Sequence, residues 1–420
     1  MLAEQPRNWA GNVTFTPERV HRPRSVEELQ ELVAAGGRVR VLGAGHSFNR
    51  IADTTGVLVS VADLPEVVEV DRAVGTVRVS AGMRYGEVAE RLHAEGLALH
   101  NLGSLPHVTV AGACATATHG SGDRNGTLAS AVTGVEMVGA DGGLVRLRRG
   151  DADFDGAVVA LGAPGVVTHL TLDTLPAFDL RQLVYAGLPL RRLGVDFEEV
   201  FASAYSVSVF TDWRRPGAEV WVKARVDDGW PHGSRWLGAT VSEEPRHPVP
   251  GMSPVNCTEQ RGVPGPWHER LPHFRLGFTP SSGEELQAEY LLPRTAAPEA
   301  FAAMSRLGDR IAPVVQISEV RTVAAEELWL STSHGRDTVA IHFTWWPDAA
   351  AVAPVMAAVE QELAPLGARP HWGKLSGVPA EQVRDRYPRA ADFARLLDRY
   401  DPSGRFRNEF VDTYFPPAGV

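Results

Sequence analysis

The sequence predicts an α+β protein of more than one domain, and three observations support this prediction. The chain has 420 residues, enough for about two to three domains of ordinary size. Residues 1–177 read as short helices between β-rich runs, whereas residues 178–370 contain denser aromatics, prolines and alternating strand patterns. We therefore expect a first domain over 1–177, a second over 178–370 and a C-terminal segment over 371–420.

Composition excludes several classes of protein. Hydrophobic residues make up 44% and charged residues 22% of the chain, which is typical of a globular protein rather than a disordered or coiled-coil one. The longest apolar stretches, 156–167 and 349–359, are shorter than the roughly 20 residues that cross a bilayer, and no secretory signal pattern is visible. The net charge of −10 comes without a basic stripe. We expect a cytoplasmic monomer that binds neither nucleic acid nor membrane.

The cysteine count also limits the chemistry. Cys114 and Cys257 are the two cysteines of the chain, too few for a disulfide framework or a zinc site of their own. We therefore expect a reducing compartment and no bound metal.

The first domain is expected to begin with a capped helix. Ser25 and Glu28 have the Ser-x-x-Glu spacing of a capping box, and the amphipathic pattern runs to about Ala35 before two glycines end it. The remaining predicted elements are strands over 38–42, 58–61 and 76–79, a helix over 87–94, and a β-rich tract over 97–172.

The second domain is predicted to contain a sheet with helices on it. The alternating run 220–226 predicts a half-buried antiparallel strand. Helices are predicted over 296–307 and 352–363, and another over 390–400 in the C-terminal segment.

A glycine-rich turn follows the predicted strand at 38–42. In Gly43-Ala44-Gly45-His46-Ser47, two glycines allow a tight turn whose N–H groups could face a pyrophosphate. The dinucleotide fingerprint of a Rossmann fold is incomplete here, since Phe48 replaces its third glycine and no helix start follows. A simple turn remains the alternative.

A second tract, residues 104–122, contains almost no bulky side chain. Ordinary cores are packed with large apolar groups, so a long run of small residues suggests a backbone that approaches something large and flat. A sheath for a cofactor is one interpretation, and a glycine-rich loop is the other.

Polar pairs at strand spacing form a third candidate feature. Glu319 and Arg321 are two positions apart, as are His342 and Thr344, so each pair would project from one face of a strand. Charged pairs on a buried face are costly unless they meet each other or a polar ligand. A surface ion pair on a sheet edge is the alternative.

The lysines and a pair of histidines are two further features of the sequence. Lys374, in His371-Trp372-Gly373-Lys374, is one of only two lysines in the chain, the other being Lys223. His268 and His273 resemble a zinc-binding H-E-x-x-H motif, but their spacing of five and the intervening proline exclude a shared helix face.

The two small-residue tracts resemble the FAD-binding domain of the vanillyl-alcohol oxidase (PCMH-type) flavoprotein family, closest to its aldonolactone oxidase branch. The resemblance implies FAD as cofactor and a covalent bond between His46 and the flavin 8α-methyl group. It also implies the following cofactor-binding residues: Val41, Leu42, Gly43, Ala44, Gly45, His46, Ser47, Gly103, Ser104, Thr109, Gly112, Thr116, Ala117, Thr118, His119, Val167 and His371.

The downstream motifs E-x-R, H-x-T and H-W-G-K, with Asn256–Phe274, resemble alditol (xylitol) oxidases, and the similarity runs over essentially the whole chain. It implies that the second domain is a substrate cap, that the C-terminal segment returns to the FAD domain, and that the terminal primary hydroxyl of alditols such as xylitol and sorbitol is oxidised to the aldose. Hydride would pass to flavin N5, and O2 would be reduced to hydrogen peroxide.

The resemblance assigns residues to this chemistry. Glu319 would accept a hydrogen bond from a terminal hydroxyl, while Arg321 and Lys374 would stabilise negative charge on the substrate oxygen and near flavin N1. Glu319, Lys374 and His342 all remain candidates for general base. The expected catalytic residues are Glu319, Arg321, Lys374, Thr344 and His342; the expected substrate-binding residues are Ser104, Glu319, Arg321, Thr344 and Lys374.

Gly103 would leave room for O2 beside the flavin, which favours an oxidase over a dehydrogenase. Two other functions remain open at this point. One is a gulono- or aldono-1,4-lactone oxidase of the same fold, and the other is a silent flavin- or polyol-binding protein.

Overall fold

Four β-sheets with helices packed on them make up this computed structural model, which describes residues 5–230, 232–278 and 284–417. The strands are β1 (Arg19–His21), β2 (Val39–Val41), β3 (Val57–Val59), β4 (Val68–Asp71), β5 (Thr76–Ser80), β6 (Leu97–Ala98), β7 (Val132–Val138), β8 (Leu144–Arg148), β9 (Val166–Asp173), β10 (Leu175–Pro176), β11 (Asp179–Pro189), β12 (Ser206–Thr211), β13 (Gly217–Arg225), β14 (Arg235–Trp236), β15 (Ala239–Val241), β16 (Gly265–Pro266), β17 (Leu286–Pro293), β18 (Val315–Val323), β19 (Thr338–Trp345) and β20 (Arg369–Pro370).

The α-helices lie between and after these strands. They are α1 (Val26–Ala34), α2 (Tyr85–Ala94), α3 (Val110–Ala115), α4 (Phe154–Val158), α5 (Leu190–Val195), α6 (Phe197–Phe201), α7 (Ala297–Arg306), α8 (Gly308–Ile311), α9 (Ala349–Leu363), α10 (Ala380–Arg384), α11 (Ala390–Tyr400) and α12 (Glu409–Tyr414). Within the described ranges, none of them combines the length and apolar character that a membrane span requires.

The sheets differ in size and direction. A small parallel sheet has the order β1-β3-β2, an antiparallel sheet has the order β4-β5-β9-β7-β8, and β6 pairs with β10. The largest sheet, of ten strands, runs β14-β15-β11-β13-β12-β18-β19-β17-β20, with β16 paired to β11, and its pairings are antiparallel. The predicted α+β class, with a mostly antiparallel sheet flanked by helices, is confirmed.

The local signals at the first helix are confirmed. Ser25 Oγ accepts a hydrogen bond from Glu28 N at 3.1 Å, which satisfies one of the free N–H groups of the first turn. The Glu28 carboxylate turns to the N–H of Arg24 rather than to that of Ser25. Gly36 follows with φ +98°, a conformation that favours glycine and ends the helix.

Two predictions of local structure need correction. The tract at 97–172 contains the strands β6 to β9 as expected, but also the helices α3 and α4; in α3, Ala113 N donates to Thr109 O at 2.9 Å. Residues 220–224 are buried on both faces rather than half-buried, because the ten-stranded sheet is covered on each side.

One face of the ten-stranded sheet packs against helices, and the other faces a cavity. Val320, Ile341 and Phe343 join the apolar core formed with α5, α6, α7 and α9. Since side chains alternate along a strand, the neighbouring positions Glu319 and His342 point to the opposite face and line the cavity. This alternation delivers polar groups to an otherwise apolar sheet.

Candidate functional site

A cavity of about 750 Å³ lies between the two small-residue tracts and the second face of the large sheet. This volume is within the ~300–1,000 Å³ that is usual for ligand and cofactor sites. The cavity combines a mostly backbone wall on one side with a wall of charged side chains on the other.

The backbone wall is a cradle that a side chain would fill. A Cβ added to Gly43 would lie 2.5 Å from Thr109 Oγ1, and one added to Gly112 would lie 2.7 Å from the same atom. Gly45 has φ +72°, which the turn requires. The two tracts therefore pack closely on each other through glycine backbone, and together they form one wall of the cavity.

Most of the predicted cofactor residues lie on this wall. Those that line the cavity are Val41, Leu42, Gly43, Ala44, Gly45, His46, Ser47, Gly103, Ser104, Thr109, Gly112, Thr116, Thr118, His119, Val167 and His371. Ala117 does not line it: this residue is fully buried in the adjoining core, with φ 54°.

The C-terminal segment also contacts the glycine-rich turn. Phe48 N donates to Gly373 O at 2.7 Å, and the Asn49 amide donates to the carbonyls of Trp372 and Lys374. These bonds bring residues 371–374 to the cavity.

Three buried polar atoms of cavity-lining residues have no hydrogen-bond partner among the described residues. They are Arg40 Nε, Arg321 Nε and His119 Nε2, the last of which lies 3.3 Å from Glu289 Oε1. Buried polar groups are usually paired, so unpaired ones on a cavity wall indicate a ligand with polar atoms. The glycine cradle and these free groups together fit a flat heteroaromatic cofactor such as FAD.

His46 lies at the cavity with its ring 5.0 Å from that of Trp9. Burial lowers the pKa of His46 to about 4, helped by His107 and Arg84. The imidazole is therefore uncharged near neutral pH. In the described part of the chain, its ring nitrogens have no hydrogen-bond partner.

The charged wall comes from three adjacent strands. Glu289 on β17 is paired in register with His342 on β19, and His342 is paired with Glu319 on β18. The three side chains therefore form a row across the sheet. Thr344, two residues after His342 on the same face of β19, also lines the cavity.

Glu289 is the centre of an ion-pair cluster. Its Oε1 accepts from Arg321 Nη2 at 2.5 Å and its Oε2 accepts from Lys374 Nζ at 2.6 Å, while the residue itself is 1% exposed. Burial would raise the pKa of Glu289, but Arg321 and Lys374 outweigh it and hold the pKa well below its ordinary value. Glu289 is thus a carboxylate that fixes two cations.

His342 is held between two neighbours. Lys374 Nζ donates to His342 Nδ1 at 2.8 Å, and His342 Nε2 lies 3.1 Å from Thr344 Oγ1. Burial lowers the pKa of His342 to about 3, and the nearby Lys374 acts in the same direction. The ring is neutral, and with Nδ1 as acceptor its proton sits on Nε2.

Lys374 has one N–H to spare. An ammonium has three donors, and two of them go to Glu289 and His342. Burial lowers the pKa of Lys374, whereas its contact with Glu289 opposes that shift.

Glu319 lies at the other end of the row. His273 Nε2 is 2.8 Å from Glu319 Oε1, and Arg321 Nε is 3.7 Å from the same oxygen. Burial would raise the pKa of Glu319, but Arg321 and His273 lower it well below the ordinary value. Among the described residues, Oε2 has no hydrogen-bond partner, which leaves it available to a ligand.

The structure thus brings all five predicted catalytic residues, and Ser104, to one cavity. Three functional candidates had no expected site role: Glu289, His273 and Lys223, although Lys223 stands out in the sequence as one of two lysines. Gln287 and Glu289 show the same spacing of two in an apolar strand as Glu319/Arg321, so this pattern is a sequence signal for Glu289.

His273 was considered only as part of a metal motif. Its partner in that motif, His268, instead lies with its ring 4.7 Å from that of His93, whereas His273 reaches Glu319. Within the described ranges, His, Cys, Asp and Glu form no group of three arranged to bind a metal.

Comparison with known proteins gives consistent results. Residues 17–148 match the FAD binding domain family, and residues 283–414 match the D-arabinono-1,4-lactone oxidase family. Alditol oxidase from Streptomyces sp. is 55% identical over 408 residues, which cover 96% of this chain and 97% of that protein. L-gulono-1,4-lactone dehydrogenase from Mycobacterium tuberculosis is 31% identical, and the match covers 98% of this chain and 99% of that protein. L-gulonolactone oxidase from Mus musculus is 26% identical, and the match covers 98% of both chains.

Solved structures show the same fold. A solvent-stable cholesterol oxidase superposes with a TM-score of 0.78 at 15% identity, covering 98% of this chain and 97% of the other. Cholesterol oxidase from B. sterolicum gives 0.75 at 16%, covering 98% and 96%. The predicted fold class, an FAD-binding domain of vanillyl-alcohol oxidase (PCMH) type with a mostly antiparallel sheet, is confirmed. The chain belongs to the FAD-dependent oxidoreductase family that includes alditol oxidase and the sugar-lactone oxidases and dehydrogenases.

Proposed function

We propose that this protein is an alditol oxidase, which oxidises the terminal primary hydroxyl of xylitol, sorbitol and similar polyols to the aldose and reduces O2 to hydrogen peroxide. The observation that carries the proposal is the buried set Glu319, Arg321 and Lys374, which faces the glycine cradle across one cavity. The 55% identity to an alditol oxidase supports the same substrate class.

FAD bound in the cradle would supply the acceptor for the hydride of the carbinol carbon and would pass both electrons to O2. The chain's own residues must bind the polyol, orient its terminal carbon and manage the hydroxyl proton. Their charges and free hydrogen-bonding atoms suit these tasks.

Lys374 and Arg321 are proposed to stabilise negative charge on the reacting oxygen. Lys374 has an unused N–H, and Arg321 has an unpaired Nε, so each can donate to that oxygen as the proton leaves. Glu289 keeps both cations in place and remains ionised itself. Preorganised donors of this kind need no rearrangement during the reaction.

Glu319 is proposed to accept the hydroxyl hydrogen. Its Oε2 is free among the described residues, whereas the lone pair of His342 Nδ1 is taken by Lys374 and Lys374 is itself a donor. Of the three candidate bases, Glu319 is therefore the one with an available acceptor atom.

The remaining polar groups would select for a polyol. Alditols are uncharged and carry one hydroxyl per carbon, so a site recognises them through hydrogen bonds that a poorer substrate leaves unmade. Ser104, Thr344 and Gln287 line the cavity and offer hydroxyl and amide groups for this purpose.

We also propose that His46 is covalently bonded to the flavin. The bond requires an unprotonated ring nitrogen, and the lowered pKa of His46 favours that form. The position of His46 on the cradle wall supports the assignment.

O2 is proposed to reach the flavin beside Gly103. A Cβ at this position would find its nearest neighbours at 3.6 Å, so the glycine leaves space rather than serving tight backbone packing. Larger side chains there would narrow that space.

Several coarser assignments accompany this proposal. We infer an FAD domain over 1–177, a cap over 178–370 and a returning segment over 371–420. The ten-stranded sheet lies within the second range, and the hydrogen bonds from Phe48 and Asn49 to residues 372–374 support the third.

We also propose a cytoplasmic monomer. Size-exclusion chromatography with light scattering should then give a mass of 45.4 kDa.

Anaerobic addition of polyol to the purified holoenzyme tests the function. Xylitol should bleach the flavin absorbance, and admission of air should restore it with formation of hydrogen peroxide. Bleaching by L-gulono-1,4-lactone but not by xylitol would instead identify a lactone oxidase, the function named for relatives at 26–31% identity. A flavin that stays oxidised with both would contradict either activity.

A further inference from the structure

Lys223 is a fully buried cation outside the described catalytic set. It lies on β13, paired in register with Gln182 on β11 and Ser206 on β12, and is 1% exposed. A buried ammonium is costly unless its donors are all paired. Nearly all other positively charged side chains of the protein are arginines, so a lysine at this position is unusual.

The three donors of Lys223 have three acceptors. Its Nζ donates to Leu271 O at 2.5 Å, to Pro272 O at 3.2 Å and to His273 Nδ1 at 3.3 Å. Burial lowers the pKa of Lys223 to about 7. Below that pH the side chain is an ammonium without acceptor capacity, so Nδ1 of His273 is the acceptor in the last contact. The proton of a neutral His273 therefore sits on Nε2.

His273 passes this constraint to Glu319. Its Nε2–H points at Glu319 Oε1, 2.8 Å away. The ring is confined by Phe210 and Trp221, whose ring centroids lie 5.4 Å and 5.2 Å away at steep angles. Burial lowers the pKa of His273 to about 4, so the neutral ring with a single tautomer is the form present near pH 7.

The same segment contacts the flavin-side wall. His273 N donates to Ser104 O at 3.1 Å, so residues 271–273 link Lys223, Glu319 and the small-residue tract. Lys223 thereby controls a segment that touches both walls of the cavity.

We propose that Lys223 is a positioning residue: it fixes the Nε2–H tautomer of His273, which orients Glu319 and keeps it a carboxylate with Oε2 directed at the substrate. This inference rests on the proposed role of Glu319 in polyol oxidation. Without the ammonium, His273 can take the other tautomer, whose Nε2 lone pair faces Glu319 and repels its negative charge.

The charges around Glu319 set the direction of the expected shift in its pKa. Arg321 from its own strand, His342 from β19 and His273 face it, while Phe210 on β12 is uncharged. Lys223 is itself faced by Cys257, Glu319 and Arg321. Losing Lys223 and the Nε2–H donor therefore raises the pKa of Glu319 from its depressed value.

The kinetic test compares Lys223→Met, His273→Gln and the double variant. Lys223→Met should lower kcat/KM for xylitol at least tenfold, because a misplaced Glu319 carboxylate no longer meets the hydroxyl. The glutamine of His273→Gln keeps an amide N–H that can donate to Glu319, and it has no tautomers for Lys223 to select. Adding Lys223→Met to this variant should therefore lower kcat/KM by less than a further threefold. Equal losses in both backgrounds would overturn the proposal.

Arg336→Met is the matched control. Arg336 also donates to two carbonyls on the cap side, Leu291 O and Gly367 O, but does not line the cavity. It should lower stability and leave kcat/KM for xylitol nearly unchanged. A tenfold fall of kcat/KM in this variant would show that general destabilisation causes the loss, and would contradict the positioning role.

A direct measurement needs no variant and no activity. With 15N-labelled histidine, the ring shifts of His273, assigned by their loss in His273→Gln, should show the Nε2–H tautomer at pH 6 in the holoenzyme. An Nδ1–H tautomer would overturn the proposal even if Lys223→Met failed to fold. If the wild-type enzyme does not turn over alditols, the proposed function is contradicted. The tautomer of His273 would still show whether its Nδ1 accepts a hydrogen bond from Lys223.

Discussion

Glu289 Oε2 accepts a hydrogen bond from Lys374 Nζ at 2.6 Å, although the two residues are 85 positions apart in the chain. Glu289 also binds Arg321, so one carboxylate that is 1% exposed holds two cations of the cavity wall. Arrays of this kind depend on every member, because removing one leaves the others buried and unpaired.

Glu289→Gln tests this dependence. The substitution keeps the shape but removes the negative charge, so we expect a loss of about 3–5 kcal/mol in the free energy of unfolding. Because Arg321 and Lys374 lose their common anchor, kcat/KM for xylitol should fall on the order of 10²-fold. Urea denaturation and steady-state kinetics measure the two effects.

Glu360→Gln is the control for that experiment. Glu360 is also a buried carboxylate, which accepts from Tyr290 OH at 2.8 Å and Gly377 N at 2.8 Å, but it does not line the cavity. We expect a loss of about 1–2 kcal/mol in stability and nearly unchanged kcat/KM. An equal fall in kcat/KM for both variants would argue that Glu289 acts only through stability.

His46→Ala tests the covalent flavin bond. Wild-type protein precipitated with acid should retain its yellow colour in the pellet, whereas the variant should release the colour to the supernatant. His107→Ala is the control, since His107 bonds to Leu276 O and does not line the cavity, and its pellet should stay yellow. Colour released from the wild type would rule out the covalent bond but not FAD binding.

Stability should fall in acid because of the buried histidines. The pKa of His342 is lowered to about 3 and that of His273 to about 4, so between pH 6 and pH 4 the unfolded chain binds protons that the folded chain does not. Unfolding free energy then decreases as pH falls, by about 1.4 kcal/mol per pH unit for each histidine.

The depressed pKa of Glu319 acts in the same direction below its unfolded value of 4.5. Denaturation curves at pH 4.5, 5.5 and 6.5 measure the combined slope. His342→Gln should reduce the loss between pH 6.5 and pH 5.5 by about 1 kcal/mol, because an unfolded histidine is only half protonated at pH 6.5. An unchanged slope would mean that His342 is not buried as a neutral ring.

Gly103→Val tests the path of O2. A Cβ at this position would have Thr118 Cγ2 at 3.6 Å and His119 O at 3.8 Å, so the two further methyl groups of valine would crowd the space beside Gly103. We expect kcat/KM for O2 to fall at least tenfold while turnover with an artificial dye persists. For Gly103→Ala, whose single added methyl group fits, kcat/KM for O2 should lie between the values of the wild type and Gly103→Val. Parallel losses with O2 and dye would point instead to disturbed flavin binding.

Local patterns in the chain were sufficient for much of the fold and part of the site. The Ser25 cap, the strand at 39–41 and the helix at 390–400 depend on interactions between near neighbours, and they are found where they were expected. The spacing of two in Glu319/Arg321 and His342/Thr344 likewise predicted a shared face, because strand geometry fixes it.

Other features arise only when distant segments meet. Residues 220–224 alternate as a half-exposed strand would, yet their second face is covered by residues 271–273 from a remote loop. Glu289 and His273 acquire their roles in the same way, from Lys374 and Glu319 across the folded sheet. The sequence around a carboxylate or an imidazole does not show which charges will face it in the folded protein. Its burial and its ion-pair partners are therefore determined only by the tertiary structure.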